Sequence, residues 1–180
     1  MCSEYVVIKG QKPWEAKIVS GEKDVAQISK EDDLSFKLVR KRDGRTWTLT
    51  NKVEGERRPF SLAVSEISGE GNSKPVLKIL NHLFDHAGKI YMFGNHPEGK
   101  HWNEYLDSTR YISRLDKFPI SDISKLDARS SHRLKKYVRG VAVGETEGLG
   151  IHGHRVKVDK ELEDIGLILA ASSYLMYAAA

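Results

Sequence analysis

Apolar and polar residues alternate with a period of two along much of the chain, the mark of β-strands with one buried face. Leu34–Arg40 sets Leu34, Phe36 and Leu38 against Ser35, Lys37 and Val39, and Thr46–Asn51 sets Trp47 and Leu49 against Thr46, Thr48 and Thr50. Asp43-Gly44 stands between them. Both of its positions tolerate positive φ, so the two runs read as a hairpin. Phe60–Ile67 alternates Phe60, Leu62 and Val64 against Ser61, Ala63 and Ser65; the polar loop Ser68–Ser73 then leads to Pro75–Leu80. Asp85-His86-Ala87-Gly88 reads as a turn into Lys89–Phe93. Tyr5–Ile8, Arg110–Arg114, Leu134–Val143 and His154–Val158 are further strand candidates. Turn signals at intervals of roughly 8–12 residues predict an antiparallel sandwich or barrel rather than βαβ units.

The end of the chain breaks this rhythm. Glu161, Glu163 and Asp164 place carboxylates where a helix N-terminus favours them, and no charge follows from Ile165 to Ala180. Ala and Leu, both strong helix formers, dominate this run. A helix that is apolar all round must be covered by protein or by lipid. The run would extend about 24 Å as a helix, short of a bilayer's hydrocarbon thickness. Its small residues, Gly166, Ala170, Ala171, Ser172 and Ser173, suit a confined space. The pattern therefore predicts a helix over about 161–179 threaded through the middle of a β-barrel, with a C-terminal tail anchor as the alternative. No repeat, low-complexity segment or linker interrupts the chain. Residues 1–180 read as a single mostly-β domain, an antiparallel barrel of about 10–12 short strands enclosing an apolar C-terminal α-helix.

Composition narrows the class. The chain has 180 residues, 39% of them hydrophobic and 30% charged, but its net charge is only +4, which excludes a disordered polyelectrolyte. A pI near 9.0 is compatible with an acidic partner. The single cysteine, Cys2, excludes an intramolecular disulfide and a Cys-based zinc site. None of the asparagines lies in a glycosylation sequon, and the N-terminus has neither the positive start nor the apolar run of a signal peptide. These features predict a cytoplasmic location, with peripheral membrane association following from the lipid reading below.

Barrel strands closed by one apolar helix resemble the tubby C-terminal-like superfamily, which includes tubby-like proteins, phospholipid scramblases and LURP-one-related proteins. Arg58-Pro59-Phe60-Ser61-Leu62-Ala63-Val64-Ser65-Glu66 followed by Pro75-Val76-Leu77-Lys78-Ile79 is similar to the middle strands of that family, and Asp159–Ala180 to its closing strand-to-helix segment. The resemblance implies that the helix fills the barrel. It also implies a membrane-related role, since tubby-like proteins bind phosphoinositide headgroups through basic surface residues. No headgroup motif matches residue by residue, and the Cys-rich stretch of the scramblases is absent.

Several clusters could carry chemistry. Residues 129–139 hold Arg129, Arg133, Lys135, Lys136 and Arg139 and no acid. On a strand, Arg133, Lys135, Tyr137 and Arg139 would share a face, a row of cations suited to phosphate groups. The same pattern also fits the solvated outer face of a barrel strand. Clusters at Arg40-Lys41-Arg42/Arg45 and Arg57-Arg58 have acids nearby and read as solubilising turns. Gly94–His101 follows most of a phosphate-binding loop, but His101 stands where that motif needs Ser or Thr, so a polar hairpin loop is the reading. His96-Pro97-Glu98 matches the deaminase His-x-Glu element, which without Cys-x-x-Cys cannot build that zinc site. His152 and His154 would share a strand face. Trp14, Trp47 and Trp102 suit the core or the barrel rim.

The function expected from the sequence is non-enzymatic recognition of anionic phospholipid by the 129–139 segment, without a cofactor or metal and without nucleic acid as a partner. One alternative is an enzyme or small-ligand barrel with a pocket lined by His96, His101, His152 and His154. A second is a protein-interaction scaffold.

Overall fold

The computed structural model describes residues 2–12, 15–51, 61–80, 82–93, 109–115, 140–149 and 153–177. Among them, twelve strands form one closed antiparallel barrel: β1 (Ser3–Lys9), β2 (Ala16–Ser20), β3 (Lys23–Lys30), β4 (Ser35–Arg40), β5 (Thr46–Asn51), β6 (Ser61–Ile67), β7 (Ser73–Leu80), β8 (Leu83–His86), β9 (Lys89–Phe93), β10 (Thr109–Leu115), β11 (Gly140–Gly148) and β12 (Gly153–Val158). Each strand pairs with its neighbours in the chain, and β12 pairs back onto β1 from Ser3↔Val158 to Ile8↔Gly153. A 3-10 turn (Lys160–Ile165) then leads into α1 (Gly166–Tyr177).

Every residue from Ile165 to Leu175 is buried, so α1 is covered on all sides. Ile168, Leu169, Ala170, Ala171 and Tyr174 belong to one core with the inward residues of the wall, among them Val7, Ile18, Leu38, Leu49, Ile79, Phe93, Ile112 and Val156. The expected architecture, a barrel enclosing its C-terminal helix, is the one found. The helix begins at the mouth where β1 starts and β12 ends, here the near mouth, and runs toward the opposite, far mouth. A Cβ on Gly166 would lie 2.9 Å from Tyr5 Cε2 and 3.0 Å from Val158 Cγ2, so the helix start passes through the near mouth with no room for a larger residue.

Three strands escaped the sequence pattern. β2 and β3 alternate clearly over only three residues each, Ala16-Lys17-Ile18 and Ala26-Gln27-Ile28, and their register shifts between Ile18 and Val19. β8, like the expected strand β9, is apolar without alternation because both faces are covered. Phe84, Tyr91 and Phe93 face the core, while Leu83, Ile90 and Met92 are buried outside that core cluster. Leu34, expected on the inner face of β4, instead sits half-exposed in the preceding turn, where its amide donates to Asp32 Oδ1 at 2.9 Å. The β4–β5 hairpin forms as expected, but only Gly44 takes positive φ (70°). Asp43 instead accepts from the Arg45 amide and the Arg40 side chain, and Arg40 and Arg45 close the loop. The two-residue turn with positive φ at both positions is Ala87-Gly88 (50° and 77°). For the expected strand Leu134–Val143, β11 begins at Gly140, and 134–139 lie outside the described residues.

The seam between the first and last strands is drawn tight by Gly153. Its φ is 141°, and a Cβ there would stand 1.8 Å from the Val7 carbonyl oxygen. Outside the seam, Lys157 bridges Glu4 and Glu145 at 3.6 and 3.7 Å, and Arg155 bridges Glu4 and Glu147 at 3.5 and 3.1 Å. Such exposed pairs contribute up to about 1 kcal/mol each, so the glycine matters more than the charges. Gly153→Ala should cost at least about 3 kcal/mol in urea denaturation, because a strained backbone and a broken seam add. Gly21→Ala, at φ 63° with open space around it, should cost only about 1 kcal/mol. Equal losses at the two positions would contradict the tight seam.

Candidate functional site

Of the residues the sequence singled out for binding, Arg129, Arg133, Lys135, Lys136 and Arg139 lie outside the described residues, as do His96, His101, His152, Trp14 and Trp102. The residues that flank the basic segment are described. Leu115 and Gly140 pair with each other at the near mouth. Trp47 is a buried core residue. His154, expected to line an end pocket, faces inward and is buried.

The near mouth is ringed by charged side chains held in pairs. Arg45 grips Glu66 through two hydrogen bonds, at 2.6 and 2.7 Å, and holds that carboxyl below its ordinary range. Arg40 binds Asp43, whose carboxyl is lowered to about 2 chiefly by that hydrogen bond. Both guanidinium groups also lie over the Trp47 ring, at 5.5 Å for Arg40 and 5.2 Å for Arg45. Lys41 pairs with Asp24 at 3.3 Å. The 40–45 cluster therefore spends most of its charge inside the protein, in line with its reading as a turn with neighbouring acids.

Across the same mouth, the 3-10 turn before α1 is fastened to three strands. Glu161 accepts from the Tyr91 hydroxyl (2.9 Å, β9) through one oxygen and from Arg114 (2.7 Å, β10) through the other. Asp164 lies 3.1 Å from His86 Nε2 on β8. Burial, and then the Glu161 carboxylate, push the Tyr91 phenol well above its usual range, so it stays a donor. Tyr5 is raised by burial and by Glu163. This latch was missed from sequence because Tyr91, Arg114 and Glu161 are far apart in the chain; the only signal was the run of carboxylates before an apolar helix.

Toward the far mouth the interior turns polar. His154 Nε2 lies 2.7 Å from Ser173 Oγ on α1, and both are buried. Burial first, and then the charge of Arg110, lower the His154 pKa to about 4, so the ring is neutral at pH 7. Ser172 Oγ satisfies itself on the Ile168 carbonyl at 2.7 Å. A base beside a hydroxyl resembles half of a nucleophilic dyad, but here the hydroxyl is enclosed between helix and wall. Its role is to pin α1. Among the described residues no group of three His, Cys, Asp or Glu side chains is placed to hold a metal ion, and no helix is long and apolar enough to cross a membrane.

Comparison with family models, with curated proteins and with solved structures finds no match. The functional reading therefore rests on charge and geometry.

Glu161→Ala should lower stability by about 2 kcal/mol, since it removes two hydrogen bonds to one carboxylate, one of them from a cation. Arg114→Met should cost less when added to Glu161→Ala than alone, with a coupling near 1 kcal/mol in a double-mutant cycle. Strict additivity would show that the Arg114–Glu161 pair contributes nothing.

Proposed function

We propose that this chain is a non-enzymatic binding protein that recognises anionic phospholipid headgroups through Arg129, Arg133, Lys135, Lys136 and Arg139. The observation that carries the reading is where the charge lies. Taking these five cations from a net charge of +4 leaves the other residues at −1. The whole positive excess of the protein thus belongs to one short segment without acids. Its neighbour in the chain, Gly140, joins the wall at the near mouth. The ion pairs at 40–45 support the same choice, because those cations are already matched by Asp24, Asp43 and Glu66. Occupation of the barrel interior by α1 supports a ligand site on the outer surface. The sequence's resemblance to the tubby C-terminal-like superfamily points in the same direction.

Co-sedimentation with vesicles tests the proposal. The protein should bind vesicles containing a phosphoinositide, release them as salt rises, and ignore neutral vesicles. Each cation near an anionic leaflet contributes about 1 kcal/mol, so Lys135→Gln/Lys136→Gln should weaken binding about 30-fold while leaving the urea midpoint unchanged. Binding that is equal on neutral vesicles, or untouched by the double substitution, would overturn the reading.

A further inference from the structure

The interior of the barrel holds a feature that the proposed binding does not use, a buried titratable ring in contact with the central helix. His154 lies on the inner face of β12, opposite Val7 of β1 and Gly148 of β11, and reaches Ser173 in the last turns of α1. The other end of the helix is held separately by Glu161, Asp164 and the close fit of Gly166. We infer that the His154–Ser173 contact is an acid-sensitive catch: protonation of His154 frees Ser172–Tyr177 from the wall, while the near mouth keeps the start of the helix in place.

The surroundings of the ring decide the direction. From β10, Arg110 already brings a positive charge to bear on it. From β11, Thr146 faces inward, whereas Glu145 and Glu147 face outward and pair with Lys157 and Arg155. From α1 come Ser172, Ser173 and Tyr174, a phenol that burial keeps protonated. β1 offers Val7. A protonated imidazole would put a charge into this buried site, where Arg110 already disfavours one, and opening the helix end to water relieves it.

Linkage gives the size and sign. In the opened state His154 titrates near its ordinary 6.5, and in the closed state near about 4. Opening is therefore independent of pH above about 6.5, rises up to tenfold per pH unit below it, and levels off under about 4, for an overall gain of about 300-fold.

Native-state hydrogen exchange on the whole chain, corrected for intrinsic rates and run at several pH values with low urea, tests the catch. The Ser172–Tyr177 amides should lose protection with that pH dependence and without dependence on urea, the mark of a local opening. Amides of β3–β5 should stay better protected and follow urea as global unfolding does. His154→Gln keeps a polar atom near Ser173 but cannot gain a charge, so it should flatten the pH dependence. Ser173→Ala should raise opening at every pH with the slope unchanged. The inference is overturned if the helix end and β3–β5 exchange together with the same urea dependence, or if His154→Gln keeps the slope.

Discussion

The structure depends on a mutual need for cover. A helix with no polar face cannot stand in water, and a closed barrel of this many strands is too wide to be filled by its own inward side chains. Each solves the problem of the other. Sealing the core in this way also removes every sheet edge, because β12 pairs with β1. It makes the demands on α1 unusual for a helix. Gly166, Ala170, Ala171, Ser172 and Ser173 keep it slim enough to fit, while Ile168, Leu169, Tyr174 and Leu175 supply the apolar contact. Burying a single large aliphatic side chain is worth about 1.5–3 kcal/mol, so each of these residues outweighs an exposed ion pair of the wall.

The two mouths divide the polar work. At the near mouth, charged groups meet their opposites at the surface: Arg45 with Glu66, Arg40 with Asp43, and Glu161 with both Arg114 and Tyr91. That end is wet enough for charge and stiff enough to fix where the helix begins. Toward the far mouth, His154 is buried and neutral against Ser173. A ligand at the near mouth would meet the part of the molecule that holds the helix most firmly.

Much of the barrel was legible because one face of most strands is dry and the other wet. The alternation in Phe36-Lys37-Leu38 and in Trp47-Thr48-Leu49 gave the inner face directly. The enclosed helix was legible for the opposite reason, since a long uncharged run too short for a bilayer has few places to go. Legibility failed where a short piece of wall is covered on both sides, as in Leu83–Phe84, and where alternation lasts only three residues, as in Ala16–Ile18. Turn chemistry was read for its existence and not its form: Asp43 caps its hairpin with its carboxylate instead of adopting positive φ. The polar sites were the least legible. Nothing local in the sequence joins Tyr91, Arg114 and Glu161, or places His154 against Ser173, because those pairings exist only once the barrel has closed.

Occupation of the barrel by α1 is the claim on which the rest stands, and nuclear Overhauser contacts test it most directly. The account expects Gly166 to show contacts to the rings and methyls of Tyr5 and Val158, and Ser173 to show contacts to the His154 ring in the same sample. A helix spanning the interior must touch both ends of the wall at once. Absence of both sets of contacts, with the amides of 166–177 exchanging as freely as those of an unfolded segment, would contradict the enclosed helix and the fold built around it.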